Sequence, residues 1–445
     1  MQYTQHSNEQ IDAMLAATGV ATIEELFAPI PAAQRFCGTL DIPEGVSEFD
    51  LLNELEALAA KNRSTGELTC FLGMGAYDHF IPTIVDHLAM RGEFLTAYTP
   101  YQAEASQGVL QAFYEFQTMI CQLTGMDIAN ASLYESASAA AEAATMARGI
   151  TGRSDILVSC TCHPDLVQTL ESYSRQQDAG VATIPMQDGV TDPQRLDHLV
   201  DDSIAAVVVQ WPNVFGVIED LPAIIEAVHK QGALAIVSFD PIAAGVLKRP
   251  GDLGADIVVG EGQPLGIDLQ YGAPYLGFMA CREQYLRKMP GRVVGVTTDE
   301  AGRRGYCLVL QTREQHIKRE RATSNVCTNQ GLMAMRASVY MSAMGRSGIR
   351  KAASLCFDKA HYAADRIASL DGYSLQFNQP FFKEFVVRTE RGVERAIDAC
   401  RTRGILAGVP LGRWFDALED CFAVAVTEKR TKAQIDALVE ALDSA

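Results

Sequence analysis

The 445-residue chain is short of positive charge. It carries 37 Lys and Arg against 55 Asp and Glu, a net charge of −18. So acidic a surface argues against a nucleic-acid or anionic-membrane partner, because both need positive counter-charge; a local basic pocket stays compatible with it. No run reaches the ~18 uninterrupted apolar residues of a membrane span. The first residues, MQYTQHSNEQID, lack a basic stretch leading into an apolar one, so no secretory signal is expected. Repeats, low-complexity tracts and charge blocks are missing. So are GxxxxGK(S/T) and GxSxG, which removes the phosphate loop of nucleotidases and the elbow of Ser hydrolases. The 11 cysteines are odd in number and scattered from Cys37 to Cys421. That pattern fits free thiols in a reducing compartment, with the cytoplasm as the expectation.

What is there reads as a folded α/β protein: 48% of residues are hydrophobic and 21% charged. Residues 1–66 have helical patterning, in Ile11–Leu15 and Phe49–Leu58. Residues 67–345 alternate. A helix is expected over Glu104–Thr124 and another over 136–147. The apolar runs 155–160, 204–211, 234–240, 256–261 and 276–281 are separated mostly by segments of helical period. Runs apolar throughout imply strands buried on both faces, hence a mainly parallel sheet covered by helices. Arg313–Arg346 reads as a helical or partly helical connector. Residues 346–445 read as a small α/β domain whose last helix opens on the capping box Thr431–Gln434.

Several clusters invite chemistry. Cys160-Thr-Cys162-His163 is too short for two metal-ligand pairs, so no metal is expected; His163 sits where a strand ends, a place where α/β proteins present ligand-contacting side chains. Gly260-Glu-Gly262-Gln-Pro-Leu-Gly266 has one residue too many for a dinucleotide turn, and Pro264 falls at the expected helix start. His79 and His87 lie eight apart on an expected helix and read as packed or capping groups. Arg313–Arg321 is the dense basic run, and it leads into hydroxyls and amides at 322–329 suited to an anion. Tyr98, Tyr101 and Gln102 crowd polar groups around Pro100.

FLGMGAYDHFIP, EFLTAYTPYQAEASQG, VVQWPNVFGVIEDL, DIVVGEGQPLG, MPGRVVGV and REQHIKRERATSNVCTNQ together resemble the glycine cleavage system P-protein family. The likeness runs from about residue 35 to the final helix, and the length fits the separate N-terminal half of a two-subunit form. It implies a fold-type I pyridoxal-phosphate (PLP) transferase architecture: a mostly parallel seven-stranded sheet in a large domain and a small C-terminal α/β domain. It implies glycine decarboxylation with a second subunit, two of each chain, and transfer of the aminomethyl group to the lipoyl arm of an H-protein. The cofactor lysine of the second subunit lies eight residues beyond the Asp opening its strand. Here that count runs from Asp256 to Pro264, and Lys248 reads as a surface lysine. The resemblance therefore implies that PLP is held by the partner and none is bound covalently here. His163 and Asp240 would be remnants of this chain's own pocket, and Glu135 would repel a phosphate at the helix start. Tyr98, Tyr101 and Gln102 would enter the partner's site near glycine. Thr323, Ser324, Asn325, Thr328 and Asn329 would reach its PLP, and Arg319 or Arg321 would hold a carboxylate.

Overall fold

A computed structural model describes residues 6–175, 179–272 and 274–445. They form two compact units, 1–63 and 64–445. The first has helices Asn8–Thr18 and Glu48–Ala59, started by the Ser7 and Ser47 side chains, which accept from Gln10 N and Asp50 N. Neither helix has a buried residue.

The second unit is built on a seven-stranded sheet. Its order is Ile128–Ala129, Gly277–Cys281, Ile257–Glu261, Leu234–Phe239, Ile204–Trp211, Asp155–Ser159, Val181–Ile184. Neighbours from Ile257–Glu261 to Val181–Ile184 are parallel; Gly277–Cys281 is antiparallel to both its neighbours. The unbroken apolar runs have a physical reason. Along Ile204–Trp211, Val207 and Val209 join one core, with helices Gln107–Thr124 and Leu221–Lys230. Ala206 and Val208 join the other, with Ser136–Thr151 and Pro164–Arg175. With both faces covered, the strand is apolar until Gln210 near its C-terminal end. A four-stranded antiparallel sheet follows, ordered Tyr373–Leu375, Glu384–Thr389, Cys421–Ala425, Val409–Pro410. Helices Val393–Thr402 and Lys432–Asp443 pack on it, the latter opening on the expected reciprocal Thr431–Gln434 cap.

Two expectations need correction, and a third is narrowed. The helix drawn from Glu104 starts at Gln107. His79 and His87 do not share a helix: Pro82 holds extended φ/ψ as the cap of Thr83–Ala89, and His79 lies before it. Arg313–Arg346 takes the partly helical of its two expected forms. It begins with single turns at Gln315–Lys318 and Arg319–Arg321, and the long helix Gly331–Ala368 starts only after 322–330. In this stretch the Ser324 hydroxyl accepts from Val326 N, a local bond that competes with helix formation. The long helix is itself broken at Gly345, with φ 57° and ψ −176°.

Candidate functional site

A cavity of about 320 Å³ opens at the C-terminal ends of the central strands, where open α/β sheets receive ligands. Strand Ile204–Trp211 brings Gln210, Leu234–Phe239 brings Asp240, and Ile257–Glu261 brings Glu261 and then Pro264. His163 borders the same cavity, so the two residues read as pocket remnants do meet there. Burial lowers the His163 imidazole, which favours its neutral form. Its Nδ1 accepts from Asp165 N at 3.1 Å.

A lysine that sequence reasoning missed dominates the electrostatics. Lys383 is 2% exposed, and its Nζ lies 2.7 Å from Asp240 Oδ2. The same ammonium sits 3.6 Å from the Tyr77 ring centre and 3.1 Å from His79 Nε2. Donation from Lys383 to Nε2 leaves Nδ1–H to donate to Glu428 Oε2, at 2.6 Å. Burial works to raise the Glu428 carboxyl, and hydrogen bonds from His79, the Phe80 amide and the Cys356 thiol lower it against that. Asp240, Lys383, His79 and Glu428 thus form a buried chain of alternating charge and dipole. It joins the end of a central strand to the C-terminal sheet. His79, Glu428 and Cys356 offer ligand atoms within 4.8 Å of one another. The Glu428 oxygen already accepts from His79 and from the Cys356 thiol, and the neighbouring ammonium opposes a cation.

The helix Ser136–Thr151 points its N-terminus at the cavity, and its amides are taken by acids. Glu135 caps it, accepting from Ser138 N at 2.6 Å. Glu261 accepts from Ser136 N at 3.1 Å, and also from Gln263 N and Leu276 N. Burial pushes the Glu261 carboxyl up to about 7 against those three donors. Glu384 accepts from Met74 N at 2.8 Å and the Tyr77 hydroxyl at 2.9 Å, and burial raises it likewise to about 7. The backbone closes tightly here: a Cβ on Gly73 would overlap Glu384 Oε1.

These raised values fix a sign. A carboxyl at about 7 when folded, against the 4.5 of its ordinary form, holds its proton longer in the native state. Native stability therefore falls as pH rises from 4.5 to about 7, by up to ~1.4 kcal/mol per pH unit, and then levels. Glu384→Gln keeps both hydrogen bonds, since its amide can donate to the Tyr77 oxygen. The stability difference between E384Q and the parent chain, from urea titrations, is expected to move in favour of the variant across that range. A difference independent of pH would contradict the reading.

The other sequence-derived residues gather on a surface outside this cavity. Tyr98 Oη hydrogen-bonds Thr328 Oγ1 at 3.1 Å, and Asn329 Oδ1 bonds the Ser132 hydroxyl. Tyr101 stands edge-on to His316 at 6.2 Å. Arg292, also missed, lies beneath Tyr101, 5.4 Å from the ring centre, and its Nη2 donates to the Tyr101 hydroxyl at 3.2 Å. The segments at 98–101 and 316–329 are thus brought together. Tyr98, Tyr101, Gln102, Asn325, Thr328, Arg319 and Arg321 are exposed. Thr323 and Ser324 border a small cleft with Arg287, Lys288 and Lys318. Arg319 holds φ 53°, an uncommon conformation for a non-glycine residue.

The family model for the glycine cleavage system P-protein matches residues 1–442. The chain belongs to the glycine cleavage system P-protein family. Curated relatives agree over their whole length. A protein of Desulforamulus reducens named probable glycine dehydrogenase (decarboxylating) subunit 1 is 48% identical over 442 residues, covering 99% of each chain. A Bacillus cereus protein of the same name is 49% identical over 437 residues, covering 98% of each. Among solved structures, an inhibitor-bound glycine decarboxylase (P-protein) superposes with a TM-score of 0.91 at 42% identity, over all of both chains. A Lactobacillus brevis glutamate decarboxylase, at 13% identity and TM-score 0.69, covers 93% of this chain and 95% of its own. It shares the fold-type I architecture. No described helix of this P-protein family member is long and apolar enough to cross a membrane.

Proposed function

We propose that this chain is the cofactor-free subunit of a two-subunit glycine decarboxylase. Its partner holds PLP, the electron sink for the decarboxylated amino acid, and the pair passes the aminomethyl group to the lipoyl arm of an H-protein. Two copies of each chain and a cytoplasmic location complete the proposal. One observation carries it: the groups a PLP would need in this chain's own cavity are engaged otherwise. Pro264 stands where the lysine count falls. The helix amides that would receive a phosphate are bonded to Glu135 and Glu261. Asp240, placed to pair a pyridinium nitrogen, is neutralised by Lys383. The residues present do not fit the cofactor, and no step runs through it here.

This chain's contribution then lies on the 98–101/316–329 surface. There Tyr98, Tyr101 and Gln102 orient glycine in the partner's site. Thr323, Ser324, Asn325, Thr328 and Asn329 reach toward its phosphate, and Arg319 or Arg321 pairs a carboxylate through its planar fork. The test is a PLP titration of the purified chain with borohydride trapping, followed by glycine–bicarbonate exchange with and without the second subunit. No lysine adduct and exchange only in the mixture are expected. A stoichiometric adduct with activity in the chain alone would overturn the proposal.

A further inference from the structure

The cavity left at the strand ends has a charge imbalance with no internal remedy. Five carboxyl groups border it: Glu135, Asp165, Asp240, Glu261 and Glu384. The bordering cation is Lys383, and it is committed to Asp240 at 2.7 Å. His163 is the other bordering titratable base, and burial favours its neutral form. Glu261 meets three backbone amides and no cation. It keeps part of its surface open and borders the cavity. Glu384 is 2% exposed and meets an amide and a phenol. Lys383 acts on Glu384 from the next residue but is bound to Asp240, so these buried carboxyls are poorly compensated and gain from a further cation.

The walls add shape to charge. Tyr77, Phe239, Tyr275 and Phe382 border the same space; Lys383 already lies over Tyr77 and Phe382, which leaves the rings of Phe239 and Tyr275 for an organic cation. The volume, about 320 Å³, is at the lower end of small-molecule pockets. From the small volume, its aromatic walls and the excess of carboxyl groups over cations, we infer that this pocket binds a small organic ammonium compound lacking a carboxylate. An amino acid such as glycine is excluded, because its own carboxylate would be set against the same acids. The inference rests on the reading that the pocket does not take PLP.

The arriving ammonium is set beside the bordering carboxyls Glu135, Glu261 and Glu384, and it stabilises the ionised forms of the last two. Binding near neutral pH therefore drives protons off Glu261 and Glu384, whose carboxyls sit at about 7.

The test uses the full chain and calorimetric titration with ethylammonium and benzylammonium chloride, with sodium propionate and glycine as controls, in two buffers of different ionisation enthalpy. The amines are expected to bind with proton release and the controls not to bind. Glu135→Gln and Glu384→Gln, each of which keeps its hydrogen bonds as an amide, are each expected to weaken amine binding by at least ~10-fold. Amines that bind no better than propionate, or variants that keep full affinity, would overturn the inference. Adding PLP separates the two readings. Added alone, PLP that stays on a lysine after borohydride reduction would overturn the cofactor-free assignment, whereas no PLP adduct and no amine binding would overturn only this inference.

Discussion

Replacing Lys383 with Met is expected to be the most damaging single substitution in the second unit, costing about 3–5 kcal/mol. The side chain is buried and faces Asp240, His79 and the Tyr77 ring together. Met fills the volume but takes away the one ammonium in a pocket crowded with acids. Asp240 then remains in a low-dielectric site with no partner charge, and the penalty is that of an orphaned ion rather than of a lost contact. The reciprocal change separates these possibilities. Asp240→Asn in the Lys383→Met background removes the orphan, so the double variant is expected to recover much of the loss. Urea denaturation of the four chains measures the coupling. Additive losses would mean that the pair acts through packing alone.

The second large effect is on turnover. Tyr101→Ala in the assembled two-subunit enzyme is expected to lower kcat/KM for glycine by about 100-fold, the scale on which displaced positioning groups act. Tyr101 is exposed at 53%, yet its ring is held from below by the buried Arg292 and from the side by His316. An exposed aromatic ring fixed on two sides is prepared to meet something beyond its own chain. Exchange kinetics and size-exclusion chromatography are read together. Slow exchange in an intact assembly supports a part in the shared site. Unchanged kinetics would remove Tyr101 from it, and loss of assembly would assign the surface to subunit contact.

The sheet was legible because both its faces are covered: Ile204–Trp211 is apolar at nearly every position, and its limits could be read off the residues. The Thr431 cap was legible because it is local. What escaped was non-local. Lys383 looks like a charge leading into an apolar strand, which is ordinary, and its partner Asp240 lies 143 residues away in sequence. Arg292 likewise gives no local sign that it will sit under Tyr101. The pairing of 98–101 with 316–329 was read as function from each segment separately. Their hydrogen bond, Tyr98 to Thr328, spans 230 residues and has no sequence period to announce it. The connector was legible as partly helical, but where its helix breaks was not. The hydroxyl and amide residues at 322–329 were read as suited to an anion, and they also mark the break.

The capped helix at Glu135 has a consequence of mass action. A helix start that waits for a bound phosphate draws part of its stability from the ligand's free concentration, and loses it when the ligand is scarce. Here the anions are tethered: Glu135 is the cap itself, and Glu261 comes from the adjacent strand. Their effective concentration is set by the fold and does not change with dilution. The positive end of this helix is satisfied as soon as the chain folds, whatever the supply of cofactor in the cell.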